Sequence, residues 1–163
     1  MSFTRQVSQT LDTEHRSNLA LLGRLEKALA RAPRSGGGQD TEFARLAVEF
    51  GRQLEQDVTR HFDFEEQQLF TRLADAGEGD IAELLKDEHD AIREVAAEIL
   101  PLVRAAAESA LDDAGFERLR LGAFEMIERQ VAHIQKETMG LLPMLDDLLD
   151  DETDRELAFA YAS

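Results

Sequence analysis

Four segments of this chain repeat apolar residues at helical spacing, and each carries one of the chain's four histidines on its apolar row instead of its charged face. A chain so patterned must aim four polar rings at its own core. Leaving one such group unpaired in an apolar interior costs roughly 1–3 kcal/mol, so four together need a shared partner.

The first row is Leu11, His15, Leu19, Leu22, Leu25 and Leu29. It stops before Pro33 and the glycines Gly36, Gly37 and Gly38, which predicts a helix over about residues 8–32. A second, which Thr41 can cap, runs Phe43, Ala47, Phe50, Leu54, Val58, His61, Glu65 and Leu69, over about 41–75. Asp80 opens a third with Ile81, Leu85, His89, Ile92, Ala96 and Ile99, about 80–110, where Pro101 is expected to kink the helix or end its regular part. The fourth resumes after LDDAG with Phe116, Leu119, Ala123, Met126, His133, Glu137, Leu141 and Leu145, about 115–149, interrupted by Pro143. The pattern leaves room for a short helix around 152–161.

No segment alternates with period two, and four long amphipathic helices on short loops predict an all-α, antiparallel up-down-up-down four-helix bundle. At 163 residues the chain reads as a single domain, with the bundle over about 8–149 and an acidic C-terminal tail over 150–163. Its 34 acidic residues against 18 Lys plus Arg give a net charge of -16, the wrong sign for binding nucleic acid or an anionic membrane surface. The absence of cysteine excludes disulfides, thiolate nucleophiles and Cys-ligated clusters. No stretch approaches the roughly 18 apolar residues of a membrane span, so a soluble, cytoplasmic protein is expected.

His61 has Glu65 four residues on, and His133 has Glu137, so each H-x-x-x-E pair shares one helical face. Glutamate is abundant here and the spacing alone is weak; the internal repeat is stronger. TEHRSNLALL around His15 resembles DEHDAIREVA around His89, and the two halves read as copies of one helical hairpin whose matching groups converge inside the bundle. Four imidazoles and two carboxylates suit borderline first-row metals better than Mg or Ca. A pair of ions about 3.5 to 4 Å apart could each take two histidines and share both glutamates, leaving open positions on both. The Glu-x-x-His signature of the ferritin-like centre is absent: Asp12, Val58, Lys86 and Gln130 stand three before the histidines.

Glu66 is rotated about 100° from Glu65, which points to a solvated or supporting role instead of ligation. Glu14 and Glu88 precede the repeat histidines and could add a ligand or an outer hydrogen bond, with surface duty the default. Phe62, Phe64 and Phe70, with Met126, Met139 and Met144, could wall a small pocket but read first as packing. The acidic run from Asp146 to Glu156 reads as a solvated face. Tyr161, near the C-terminus, is expected to be mobile, with folding back as a ligand the less favoured idea.

The segments TEHRSNL, HFDFEEQQLF, DEHDAI and HIQKETMGLLPML resemble, in order, the hemerythrin-like (HHE cation-binding) family over about residues 8–149. That family holds a non-haem di-iron centre in an antiparallel four-helix bundle. By this resemblance His15, His61, His89 and His133 would be terminal ligands, Glu65 and Glu137 would bridge, and the cofactor would be two iron ions (Fe2+/Fe3+) with a bridging oxo, hydroxo or water. The O2-carrying invertebrate members have a fifth histidine, whereas Leu85 and Arg93 flank His89 here at four residues, which argues against reversible O2 carriage. The symmetric four-His, two-Glu set looks more like bacterial iron-sulfur-cluster repair di-iron proteins and the iron-sensing domain of a mammalian ubiquitin-ligase subunit. The former carry a Cys-containing domain that has no counterpart in this sequence. The resemblance implies binding or reduction of O2, peroxide or NO in oxygen or nitrosative stress or iron handling. The alternatives are an iron or oxygen sensor or storage module without catalysis, and a structural zinc or manganese bundle.

Overall fold

The structure is a computed structural model that describes residues 2–33 and 35–163. Among the described residues five helices and no strand form. α1 is Gln6–Arg31, α2 covers residues 41–75, α3 is Gly79–Ala107, α4 covers residues 113–148, and α5 is Asp151–Ala162, with a 3-10 turn at Gly37–Gln39. The four patterned segments become helices with ends only a few residues away, and the short helix for which the sequence left room around 152–161 also forms. None of these helices is long and apolar enough to cross a membrane.

The first four helices close into a ring in which α1 and α3 each touch α2 and α4. Pairings along each seam show that neighbours run in opposite directions. His15 faces His61 while Arg24, further along α1, bonds Glu49, further back on α2. Asp63 meets Arg93 and Glu55 meets Arg104 on the next seam. Glu88 meets Lys136 and Ile99 lies against Gly122 on the third. His15 bonds Thr138 while Arg120 reaches the Leu29 carbonyl on the last.

Local chemistry sets the ends. The cap of α2 is Asp40, whose carboxylate accepts from the Glu42 N–H at 2.9 Å; Thr41, expected to cap, is the first helical residue. α3 starts at Gly79, one residue ahead of the expected Asp80. Gly77 stops α2 in a left-handed conformation, φ 90°, which lets the Glu78 N–H return to the Leu73 carbonyl at 2.8 Å. Pro101 does not end α3, which continues to Ala107: its missing N–H costs one bond on a helix held along its length by buried Ile99, Val103 and Ala106.

The core is in two parts. One cluster gathers Leu22, Leu25, Leu29, Phe50, Ile99, Leu119 and their neighbours. The other holds Val7, Leu11, Leu69, Leu85, Leu141, Leu145 and Leu157. On every helix of the ring the histidine lies at the level between them.

The acidic run does more than face solvent. Asp154 is buried and accepts from the backbone N–H groups of Gln6 and Val7 at 2.8 and 3.0 Å, and Asp146 accepts from those of Thr4 and Arg5 at 2.8 and 3.1 Å. These carboxylates cap α1, which has no cap of its own, and place negative charge at its positive end. They also fasten α5 and the end of α4 to α1.

Candidate metal centre

All six residues singled out from the sequence converge between the two core clusters. They form two overlapping sets, His15, His61, Glu65 and Glu137, and Glu65, His89, His133 and Glu137. Within each set the ligating atoms lie within 4.8 Å of one another. Each ring turns its Nε2 inward: His61 and His89 stand 3.3 and 3.2 Å from Glu65 Oε1, and His15 and His133 stand 3.3 and 3.2 Å from Glu137 Oε1. The two glutamates are therefore common to both sets, at the centre of the bundle. Glu65 and His89 are wholly buried, and the most exposed of the six, His61, reaches only 5%.

The backbone is unusual where these residues sit. π-helical turns cover Asp57–His61 and Glu65–Phe70 on α2, and Glu137–Leu141 on α4. The Phe62 N–H bonds the Asp57 carbonyl and the Leu142 N–H bonds that of Glu137, one residue further back than in an α-helix. Such a turn holds an additional residue and rotates the helix beyond it. The turn over 137–141 ends two residues before Pro143, whose missing N–H already breaks the regular ladder there.

Each Nδ1 is held from behind. His15 bonds Thr138 Oγ1 at 2.9 Å, His89 bonds Glu66 at 2.7 Å and His133 bonds Glu88 at 2.9 Å. His61 Nδ1 stands 3.2 Å from Glu14 and 3.1 Å from the Tyr161 hydroxyl, which itself bonds Glu14. Fixing Nδ1 in this way orients the ring and raises its basicity as a ligand. Glu14, Glu66 and Glu88 thus support histidines from outside both ligand sets. Tyr161, expected to be mobile, is buried on α5, because Arg60 bonds its carbonyl and Phe64 packs 4.7 Å from its ring.

The aromatic residues divide the surroundings. Phe62 lies flat on His89, ring centres 3.7 Å apart, and Phe70 approaches the same ring at 5.3 Å. Met126 belongs to the core and Met144 packs at its margin, while Met139 is 76% exposed.

Electrostatically the buried carboxyls and imidazoles of the centre are strongly coupled. Burial, with the charge of Glu137 beside it, pushes the Glu65 carboxyl up. Glu137 is held well below the usual range in spite of burial, chiefly by His133. Burial pulls His61 and His133 down, yet the facing carboxylates prevail: His61 is driven well up by Glu65, and His133 to about 10 by Glu137. His89 follows burial and falls. Two buried carboxyls side by side ionise together only with positive charge between them.

The residues fit a metal. Both oxygens of Glu65, Oε2 of Glu137 and Nε2 of His15 are buried without a hydrogen-bond partner among the described residues, although nitrogens and oxygens stand little over 3 Å apart. Orphaned lone-pair atoms of this kind, converging from α1, α2 and α4, are what a cation would satisfy, and imidazole with carboxylate suits a first-row transition metal.

Sequence reasoning missed Thr138, the seat of Tyr161 and the π turns, because none follows from spacing along one helix. It also missed a buried group around Asp57. Burial holds the Asp57 carboxyl up to about 6 in spite of the nearby His61, and the side chains of Asn18, Gln53 and Gln130 all donate to it. A polar residue on an apolar row, as Gln130 is, was the available signal.

A family model described as the hemerythrin HHE cation-binding domain matches residues 6–145, a span that contains all six converging residues. No curated protein matches the chain.

Proposed function

The chain belongs to the hemerythrin HHE cation-binding domain family, and from that premise we propose that it is a non-haem di-iron protein that binds or reduces a small molecule, O2, peroxide or NO, at a carboxylate-bridged site. The observation that supports this most is the pair of overlapping four-residue sets sharing Glu65 and Glu137. Two ions would each take two histidines and both glutamates, which leaves coordination positions for an exogenous ligand.

Bound there, iron would supply electrons and Lewis acidity. The chain's own groups do the rest. His15 and His61 would hold one ion and His89 and His133 the other, while Glu65 and Glu137 fix their separation. Thr138, Glu14, Glu66 and Glu88 orient the rings through Nδ1 and tune the centre by how strongly they pull on those protons. Phe62 and Phe70 exclude water on the His89 side. A cytoplasmic address fits the absence of cysteine.

The first test is elemental analysis of the protein grown with iron, beside a His61→Ala, His133→Ala variant. Two irons per chain, falling towards none in the variant, are expected; one zinc or no metal would defeat the proposal. The diferrous protein, prepared anaerobically and then exposed to NO, O2 or peroxide, should change its absorption spectrum with at least one of them. A second reading, an iron sensor without catalysis, draws on the position of the ligands between two apolar clusters, where metal occupancy and folding are coupled.

A further inference from the structure

Beside the ligand sets lies a second group of buried polar side chains that metal binding does not use. Asp57 Oδ2 accepts hydrogen bonds from the side-chain amides of Gln53, of Gln130 at 3.3 Å and of Asn18 at 3.5 Å. A carboxylate only accepts, so the amide nitrogens must face it and the amide oxygens are turned elsewhere. Gln53 Oε1 and Gln130 Oε1 are buried without a hydrogen-bond partner among the described residues, and Gln130 as a whole is 2% exposed. The internal repeat does not require these residues. Asn18 follows His15 by three residues where Ile92 follows His89, and Gln130 precedes His133 by three where Val58 precedes His61. Positions that apolar side chains fill in one half of each repeat pair hold amides in the other.

The group has a place in the fold that explains it. Asn18, Asp57 and Gln130 help enclose a cavity of about 10 Å³ that lies against His15, His61, His133 and Glu137. That is room for about one water-sized molecule. Outside it, α1, α2 and α5 bound a cleft of about 400 Å³ that is lined by Asn18, Gln53 and Asp57 among others. Asn18, Asp57 and His61 border both spaces, so the amide–carboxylate group is the partition between the cleft and the ligand set.

We propose that Asn18, Gln53, Asp57 and Gln130 form a polar intake to the site, and that Gln130 selects what enters by accepting a hydrogen bond through its orphaned Oε1. The centre then favours a small hydrogen-bond donor, the class of hydrogen peroxide and hydroxylamine, over ligands of similar size without a hydrogen such as NO or O2. A molecule that donates satisfies the buried acceptor; one that cannot leaves it unpaired and displaces a water that could. The destination of the intake rests on the di-iron reading, whereas the cavity and its acceptor do not.

Two measurements test this separately. A high-resolution crystal structure of the full chain should show a water within hydrogen-bonding distance of Gln130 Oε1; a dry cavity overturns the proposal, whatever the metal content. Protein loaded with Co2+, which is coloured and slow to change oxidation state, would be titrated with hydroxylamine and with azide, which carries no hydrogen. Gln130→Met keeps the side-chain length and removes the acceptor, so hydroxylamine should bind roughly tenfold more weakly, with azide affinity and metal content unchanged. Equal loss for both probes, or none for either, refutes the selection. Should Gln130→Met fail to fold, Asn18→Leu on the cleft side should slow hydroxylamine association, and an unaltered rate overturns the intake. A chain that holds no metal defeats the di-iron reading and leaves the crystallographic test standing.

Discussion

Glu88 shows how one side chain serves the centre without belonging to either ligand set. Its carboxylate bonds His133 Nδ1 at 2.9 Å and also Lys136, and the His133 bond above all holds its own titration below the usual range. Glu88→Gln keeps the shape and weakens the pull on the ring. It should reduce metal affinity by about 10- to 100-fold, read by competition with a coloured chelator, while helix content stays the same. The exposed Glu83→Gln on the same helix is the control and should change nothing. Glu14, Glu66 and Glu88 could be seen in the sequence as acids beside histidines, but their duty could not, since it depends on which ring from another helix lies opposite. Thr138 had no such signal: it is one hydroxyl on α4 that meets His15 only because α1 and α4 are packed at one register.

Between helices, two acids near the C-terminus do work that α1 cannot do for itself. Removing the Asp154 carboxylate leaves the Gln6 and Val7 N–H groups without their partners, so Asp154→Ala should cost about 1–2 kcal/mol. Faster amide hydrogen exchange at Gln6 and Val7 should accompany it, and unchanged protection would show that water replaces the cap at no cost. Two glycines give opposite expectations. A Cβ on Gly38 would stand 2.5 Å from the Leu111 backbone carbonyl oxygen, where the α1–α2 loop packs on the α3–α4 loop. Gly38→Ala should therefore destabilise by about 1–3 kcal/mol. Gly23 lies within α1 with nothing within 4 Å of such an atom, and Gly23→Ala should stabilise by up to about 1 kcal/mol. Urea melts of the two variants beside the parent decide both.

Across the whole molecule, the ligand layer cuts the hydrophobic core into two clusters and fills the gap with groups that repel or orphan one another. Metal should therefore act as a structural member of the bundle. Removing it with a chelator is expected to lower the melting temperature by several degrees or more and to reduce the cooperativity of unfolding. Equal melting temperatures with and without metal would end the sensor reading, which needs occupancy to change order. Helix number, their approximate ends and the ordered set His15, His61, Glu65, His89, His133 and Glu137 were all legible in the sequence. They come from periodicity, and periodicity is a property of one helix at a time: residues four apart share a face whatever lies opposite. Which atoms meet across the bundle was decided only by the tertiary structure. The Nδ1 partners, the seat of Tyr161 on Glu14 and His61, and the polar group around Asp57 depend on the axial register and rotation of neighbouring helices. Those are set by side chains packing into one another, and here also by π turns that shift the ligand-bearing faces of α2 and α4.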